Sequence, residues 1–518
     1  MLFVSNEFLF LFLPASLIGY QILSRFGRNA MLSWLTLTSL FFYGYWNPAY
    51  LVLLCGSILM NFLFSQRLGE GRSDETQGRW LTIAIAANIA LLMYFKYLFP
   101  VLNFLNIHGV IHHGFADVIL PLGISFFTFT QIAYLIDLRQ GIAQRQGILP
   151  YSVFVTLFPH LIAGPIIHPR ELMPQLEEGR IRSIRSDDFS IGLTWFILGF
   201  AKKVFIADRL GPMTDILYAH PHSAGITTAW IGAICYNFQL YFDFSGYSDM
   251  ALGLARMFGI TFPLNFDSPY KSQGFIEFWQ RWHMTLSRYI TEYLFTPILR
   301  QVNSHRIDAG KKVSRKAMGT PEGFVQMVAF PVLLSMFIAG IWHGAGLQFI
   351  VFGLLHGLYI TINHAWRFLT PQGHPLHRKV PPAFMVALTF LGFILSQVFF
   401  RAANIHDATY VLGTMIGLHH GPAFHAFPYL AELPSTSAFL GSISKAIVAI
   451  AVCFFIVWAT PNTQEILGQL PHGQVRMPSL FPSLKWRPTM LWSLAVTAVF
   501  CISVLLLDGQ TRFLYFQF

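Results

Sequence analysis

The sequence predicts an all-α, polytopic transmembrane protein with about 11–13 membrane helices and some re-entrant or interfacial ones. Two observations predict it. Of 518 residues, 54% are hydrophobic and only 11% are charged, against about 25% charged in a soluble domain. So few polar groups cannot cover that much apolar surface in water. The apolar residues also come in runs of about 18 or more, long enough for a helix to cross a hydrocarbon core of about 30 Å. Phe alone numbers 52, which suits lipid-facing and tunnel-lining surfaces.

The first span covers 5–24. It has no basic leader region and runs into Arg25 and Arg28, so it reads as a retained helix whose N-terminus lies outside the cytoplasm. Spans follow at 31–48, 49–66, 80–99 and 118–137. The segment 151–168 ends in AGPIIHP, whose Gly and Pro break a helix unless neighbours satisfy the backbone; it reads as re-entrant. The segment 189–216 carries Lys202 and Lys203 in its middle, so only part of it needs full depth. Further spans cover 228–247, 323–342, 347–369, 382–401, 439–460 and 487–507.

Between them, 275–299 (FIEFWQRWHMTLSRYITEYLFTPIL) puts Phe278, Trp282, Leu286, Tyr289 and Tyr293 at helical spacing and polar residues elsewhere. It predicts one amphipathic helix, lying at the interface or lining a polar cavity. The stretch 300–322, with Arg300, Arg306, Lys311, Lys312, Arg315 and Lys316 against Asp308, reads as a long mobile loop and the strongest cytoplasmic marker. A weaker polar stretch covers 461–486. There is no internal repeat or low-complexity tract, so one membrane domain spans 1–518.

The net charge of +10 reports cytoplasmic loops. No basic run is interleaved with stacking aromatics, so nucleic acid is not an expected partner; membrane lipids are. Cys55, Cys235, Cys453 and Cys501 each stand alone in an apolar stretch, without CxxC or Cys/His spacing. They read as small hydrophobes, and neither a metal nor a disulfide framework is expected.

The histidines are the candidates for chemistry. His343, in FIAGIWHGAG, ends a strongly apolar segment, where ionisable residues are costly. It can take and return a proton near neutral pH; the alternative is a histidine that only ties two helices together. His283, in WQRWHMTLS, shares a helical face with Gln280 and Ser287. Its position alone favours a structural histidine. His356 falls on the next helix after His343 and could face the same cavity, whereas His160 and His168 bracket the Gly-Pro break. Asp243 reads as a partner of Lys202 or Lys203, and Ser248 or Asp249 as the cap of a helix beginning there. Walker, GxSxG, HExxH and dinucleotide-binding patterns are missing. ATP-driven transport, serine hydrolysis and zinc proteolysis lose support.

An ordered set of strings then stands out: PLGISFFTF (121–129), FPHLIAGPI (158–166), GFAKKVFIAD (199–208), YFDFSGYSDMALGL (241–254), NFDSPY (265–270), EFWQRWHMTLS (277–287), GIWHGA (340–345) and the C-terminal FLYFQF. In this set the chain resembles the bacterial membrane-bound O-acyltransferases, in the branch of alginate O-acetylation and teichoic-acid D-alanyl transfer proteins. The resemblance implies helices ringed around a central funnel, with a tunnel to the cytoplasm. It carries the family's invariant histidine onto His343 as general base and its second histidine onto His283. It implies an acetyl-CoA or acyl-carrier thioester as donor substrate, no bound cofactor, and the bacterial inner membrane. A periplasmic transfer partner and an exopolysaccharide acceptor, such as alginate or cellulose, complete the expectation. One departure is visible: past RWH, family members of the alginate type carry a Tyr-rich turn and Leu-Gly-Gly-Asn-Arg, where this chain reads RYITEYLFTPILRQ. The rival functions are carrier-protein aminoacyl transfer, a lipid-linked-sugar transporter and an export scaffold.

Overall fold

Apolar runs without water to satisfy their backbone must hydrogen-bond internally, and the chain does so with helices. A computed structural model describes residues 1–69, 73–107, 120–177, 183–370, 380–419, 436–470, 479–507 and 514, which contain no β-strand. The main helices are α1 (Phe8–Phe26), α2 (Arg28–Gly44), α3 (Pro48–Ser65), α4 (Asp74–Leu102), α5 (Ile124–Arg139), α6 (Ile148–Thr156), α7 (Ser186–Ala219), α8 (Ile226–Met257), α9 (Phe275–Trp279), α10 (Met284–Ile290), α11 (Thr296–Asp308), α12 (Pro321–His343), α13 (Leu347–Leu369), α14 (Pro382–Arg401), α15 (Ile405–Met415), α16 (Thr436–Ala459) and α17 (Met490–Leu505). Seven of them, α1, α3, α4, α7, α12, α13 and α14, are long and apolar enough to cross a membrane. Shorter apolar helices at Ser444–Ala459 and Met490–Leu505 add to these. Of the remaining expected spans, α2 has 17 residues and α5 has 16, 151–168 is broken, and 228–247 lies within the 32-residue α8.

The described residues pack as two units. The first comprises Met1–Ala201, Gly246–Leu264 and 488–507. Its core is aromatic: the rings of Phe8, Phe42 and Phe158 meet at centroid distances of 5.5–6.2 Å. Polar groups tie its helices together where an unmet group would be costly. Asn61 and Asn88 exchange amide hydrogen bonds of 3.1 and 2.6 Å between α3 and α4. Gln131 donates to Ser57 and accepts from Tyr151. The predicted break at 151–168 is present. The chain leaves α6 after Thr156 and makes one helical turn, Phe158–Leu161. It then bends so tightly that a Cβ on Gly164 would lie 2.4 Å from the Cα of His160.

The second unit comprises Lys202–Ser245 and Asn265–Arg487 and holds the candidate site. Lys203 is buried between Asp208 and Asp243, with Nζ 2.6 Å from a carboxylate oxygen of each. Of the two lysines offered as partners of Asp243, Lys203 is in contact with it.

Three expectations fail. The segment 275–299 is not one helix. Asp267 N–H donates to Arg281 O and Met284 N–H to Asn265 O, both at 2.9 Å, so the 265–267 stretch pulls the chain out of helix between α9 and α10. The apolar rhythm misleads because the buried positions of the two short helices stay in phase across the break. Gln280 and His283 therefore do not share a helix face, although Ser287 follows on α10. Second, Ser248 and Asp249 do not cap a helix, because α8 runs unbroken through them to Met257. Third, 300–322 is largely helical: α11 continues to Asp308 and Arg315–Met318 forms another turn. Of the cysteines, Cys235 and Cys453 are buried, whereas Cys55 and Cys501 are exposed on apolar helices. The FLYFQF string lies outside the described residues apart from Leu514.

Candidate active site

His343 is the last residue of α12, where Gly344 turns the chain in extended backbone towards α13. Two glycines let α12 and α13 approach. A Cβ on Gly340 would lie 2.4 Å from Phe349 O, and one on Gly353 would lie 2.3 Å from Met336 O. The close crossing seats the His343 ring among aromatic faces and edges: Trp342 at 4.7 Å, Phe352 at 5.7 Å and Phe400 of α14 at 5.0 Å. The side chain is buried, only 8% exposed.

His283 sits at the start of α10 with φ 43° and ψ 51°, the left-handed region that costs a side-chain-bearing residue roughly 1–2 kcal/mol. Such strain persists where surrounding contacts impose it. Here Nδ1 lies 3.0 Å from Asn265 Oδ1, which also accepts from the Thr285 hydroxyl at 2.9 Å. Because that oxygen only accepts, His283 Nδ1 carries the proton and Nε2 carries the lone pair. The ring stands edge-on to Phe244 at 4.7 Å. It lies outside the membrane-crossing helices, and burial pushes its pKa down to about 3, so the imidazole is neutral.

His356, on α13, is explained by its own bonds. Trp279 Nε1 donates to its Nδ1 at 3.2 Å, and Nε2 meets Ser396 Oγ at 2.9 Å. Ser396 gives its hydroxyl proton to Phe393 O. His356 must therefore donate from Nε2, and both nitrogens are engaged. This histidine fastens α9, α13 and α14 together. His160 and His168 are buried in the first unit.

An unbroken run of ring contacts joins the two principal histidines within the second unit. It passes from His283 through Phe244, Phe266, Trp282, Phe393, His356 and Phe352 to His343, with steps of 4.6–5.9 Å. Two cavities lie along α12. One of about 400 Å³ is lined by His305, Arg306, Lys311, Gln326 and Phe330. The other, of about 190 Å³, is lined by Trp279, Ser287, Val332, Ser335, Met336 and His364. Phe330, Met336 and His343 thus mark successive levels of one helix.

Sequence reasoning missed Asn265, although it opens the NFDSPY string. The signal available was an amide opening a short polar string 18 residues before His283. It also missed the brace behind it. Arg281 pairs with Asp267 at 2.9 Å and Glu277 at 3.0 Å. Asn462 donates to Asp267 at 2.9 Å and Gln464 to Phe266 O at 2.9 Å. The polar stretch after 460 therefore begins as part of the site's scaffold.

Comparison with known proteins agrees with this architecture. The model of the MBOAT, membrane-bound O-acyltransferase family, matches residues 25–309. A peptidoglycan O-acetyltransferase of Helicobacter pylori is 37% identical over 81% of this chain and 80% of its own length. The "probable alginate O-acetylase AlgI" of Pseudomonas aeruginosa is 33% identical over the full length of both chains. A teichoic acid D-alanyltransferase of Streptococcus thermophilus is 28% identical over 49% of this chain and 59% of its own. With all-helical architecture, several apolar helices and relatives matched from end to end, this chain belongs to the membrane-bound O-acyltransferase family and is a multi-pass membrane O-acyltransferase.

Proposed function

We propose that the protein transfers an acetyl group from a cytoplasmic thioester, acetyl-CoA or an acyl carrier, to a hydroxyl acceptor on the other side of the bacterial inner membrane. The observation that carries this reading is the line of features on α12: a basic cavity near its start, a narrower one at mid-helix, and His343 at its end. From Gln326 to His343 is 17 residues, or about 26 Å of helix, close to the thickness of a hydrocarbon core. His305, Arg306 and Lys311 suit the phosphates of a donor, and a thioester arm would reach inward past Ser335 and Met336. The basic 300–316 stretch then lies in the cytoplasm, and the N-terminus lies outside it.

In this reading His343 takes the proton of the acceptor hydroxyl as its oxygen attacks the thioester carbonyl. The C–O bond forms, the C–S bond breaks, and the thiol leaves with the proton from His343. General-base help of this kind contributes about 10²–10⁴-fold. His283, with its lone pair on Nε2, accepts a hydrogen bond and positions donor or acceptor; a role as oxyanion donor would need the other tautomer. The acetyl group passes to a periplasmic partner and then to a cell-envelope polysaccharide. Acetyl is favoured over an amino acid because the O-acetylating relatives match over most or all of the chain, the D-alanyl one over about half.

The test is labelled acetyl-CoA with purified protein in liposomes and a polymer acceptor. Wild type should label the acceptor and His343→Gln, inserted normally, should fall by at least about 10²-fold. Full activity in His343→Gln sinks the mechanism. Acceptor movement without labelling favours a transporter.

A further inference from the structure

We propose that His222, His406 and Asp407 form a binding site for a divalent transition-metal ion of the zinc class. His222 lies in the turn Pro221–Ser223 between α7 and α8, and the other two lie in the first turn of α15. The two parts are 185 residues apart in sequence, which is why no metal-ligand spacing shows there. In the fold, His222 Nε2 lies 3.0 Å from Asp407 Oδ1, and His406 Nδ1 lies 3.9 Å from the same oxygen. All three ligand atoms fall within 4.8 Å of one another. A tetrahedral zinc ion with bonds of about 2.0–2.2 Å holds its ligand atoms about 3.3 Å apart. One spacing already suits this, and the exposed His406 ring can turn to close the others.

The ligands are aimed by a second layer of contacts, as metal ligands are. Asn404 Nδ2 donates to Asp407 Oδ2 at 2.8 Å, and Asn404 Oδ1 accepts from Asp407 N–H at 2.9 Å. The carboxylate is thereby turned with Oδ1 towards both imidazoles. Tyr410 stands edge-on to the His222 ring at 4.3 Å and donates its hydroxyl to His222 O at 3.3 Å. The His222 and His406 rings are 5.3 Å apart and face one carboxylate oxygen, so one dication would satisfy all three groups.

Two imidazoles and one carboxylate suit zinc, nickel or copper rather than calcium or magnesium, which favour all-oxygen sites. Three protein ligands leave a fourth position for water or a partner's group. The site lies at the end of the second unit where α12 finishes: Gln348, at the start of α13, donates to Ala403 O, just before α15, at 3.0 Å. A bound ion would pin the Pro221 turn to α15 at that rim.

The experiment uses full-length protein in detergent, purified without a histidine tag, stripped with EDTA and titrated with Zn²⁺. Metal content is read by elemental analysis and affinity by calorimetry. Wild type should bind one ion per chain, and its thermal unfolding should shift upward with the metal. His406→Ala, at an exposed position that leaves the fold alone, and Asp407→Asn should each weaken binding by at least about 10-fold, with loss of the thermal shift. Substoichiometric zinc in wild type, or equal affinity in the variants, overturns the proposal.

Discussion

Gly353→Ala tests whether the α12–α13 crossing sets the position of His343. The added Cβ would lie 2.3 Å from Met336 O, against about 3.4 Å for ordinary contact, so the backbones must separate by about 1.1 Å. Backbone atoms cannot swing aside as side-chain ends do. Overpacking of this kind costs about 1–3 kcal/mol, offset by up to about 1 kcal/mol because Ala is the better helix former. Gly56→Ala is the control: it lies within α3, where nothing lies within 4 Å of the new Cβ, so only the gain remains. The two variants should therefore differ by about 1–3 kcal/mol in unfolding. A displacement of about 1 Å at a reacting group can lower the rate about 10²-fold. Transfer should then fall by that order in Gly353→Ala and hold in Gly56→Ala. Thermal unfolding in detergent and labelled acetyl transfer read both effects. Equal stability and equal transfer in the two variants would refute the argument.

Three further outcomes are expected. Lys203→Met strands Asp208 and Asp243 in a buried site and should destabilise the protein by about 3–5 kcal/mol, read by thermal unfolding. Asn265→Ala removes the acceptor that fixes the His283 tautomer; transfer should fall with little change in insertion, and an unchanged rate would show that the tautomer does not matter. The folded pKa of His283, about 3, lies below the usual 6.5, so the unfolded chain binds the proton more readily. Its contribution is complete above pH 6.5 and fades as pH falls towards 3, by up to about 1.4 kcal/mol per pH unit. His283→Asn should flatten the stability profile there, and parallel profiles would count against burial as the cause.

The all-helical membrane architecture was legible because lipid demands long apolar runs, and α12, α13 and α14 fall where hydropathy placed them. His343 stood out as a candidate for the same reason, since an ionisable group at the end of such a run is conspicuous, although position alone left a helix-tying histidine as the alternative. The surroundings of His283 were not. Its left-handed backbone depends on hydrogen bonds to Asn265 and on Asp267 meeting Arg281, pairings between segments with no signature in either alone. The apolar rhythm of 275–299 crossed the break because side-chain burial on α9 and α10 has similar phase. Asp249 resembled a cap because local propensity favours it there, whereas continuous burial of α8 over 235–255 decided otherwise. His356 and His343 looked alike in sequence; only the bonds from Trp279 and to Ser396 separate the clamp from the candidate base.

Under the proposed mechanism, the backbone at His283 also bears on how such a protein can lose its chemistry. Among the described residues, only Ser268 and His283 are non-glycines with positive φ. Asparagine and aspartate tolerate that region best after glycine. A gene copy drifting from His283 to Asn would meet little resistance from folding. It would insert and persist while lacking the imidazole. Duplicated members of a genome could therefore divide into working and silent copies at this codon. Under the proposed mechanism, the residue at position 283 would be the place to look for a silent copy.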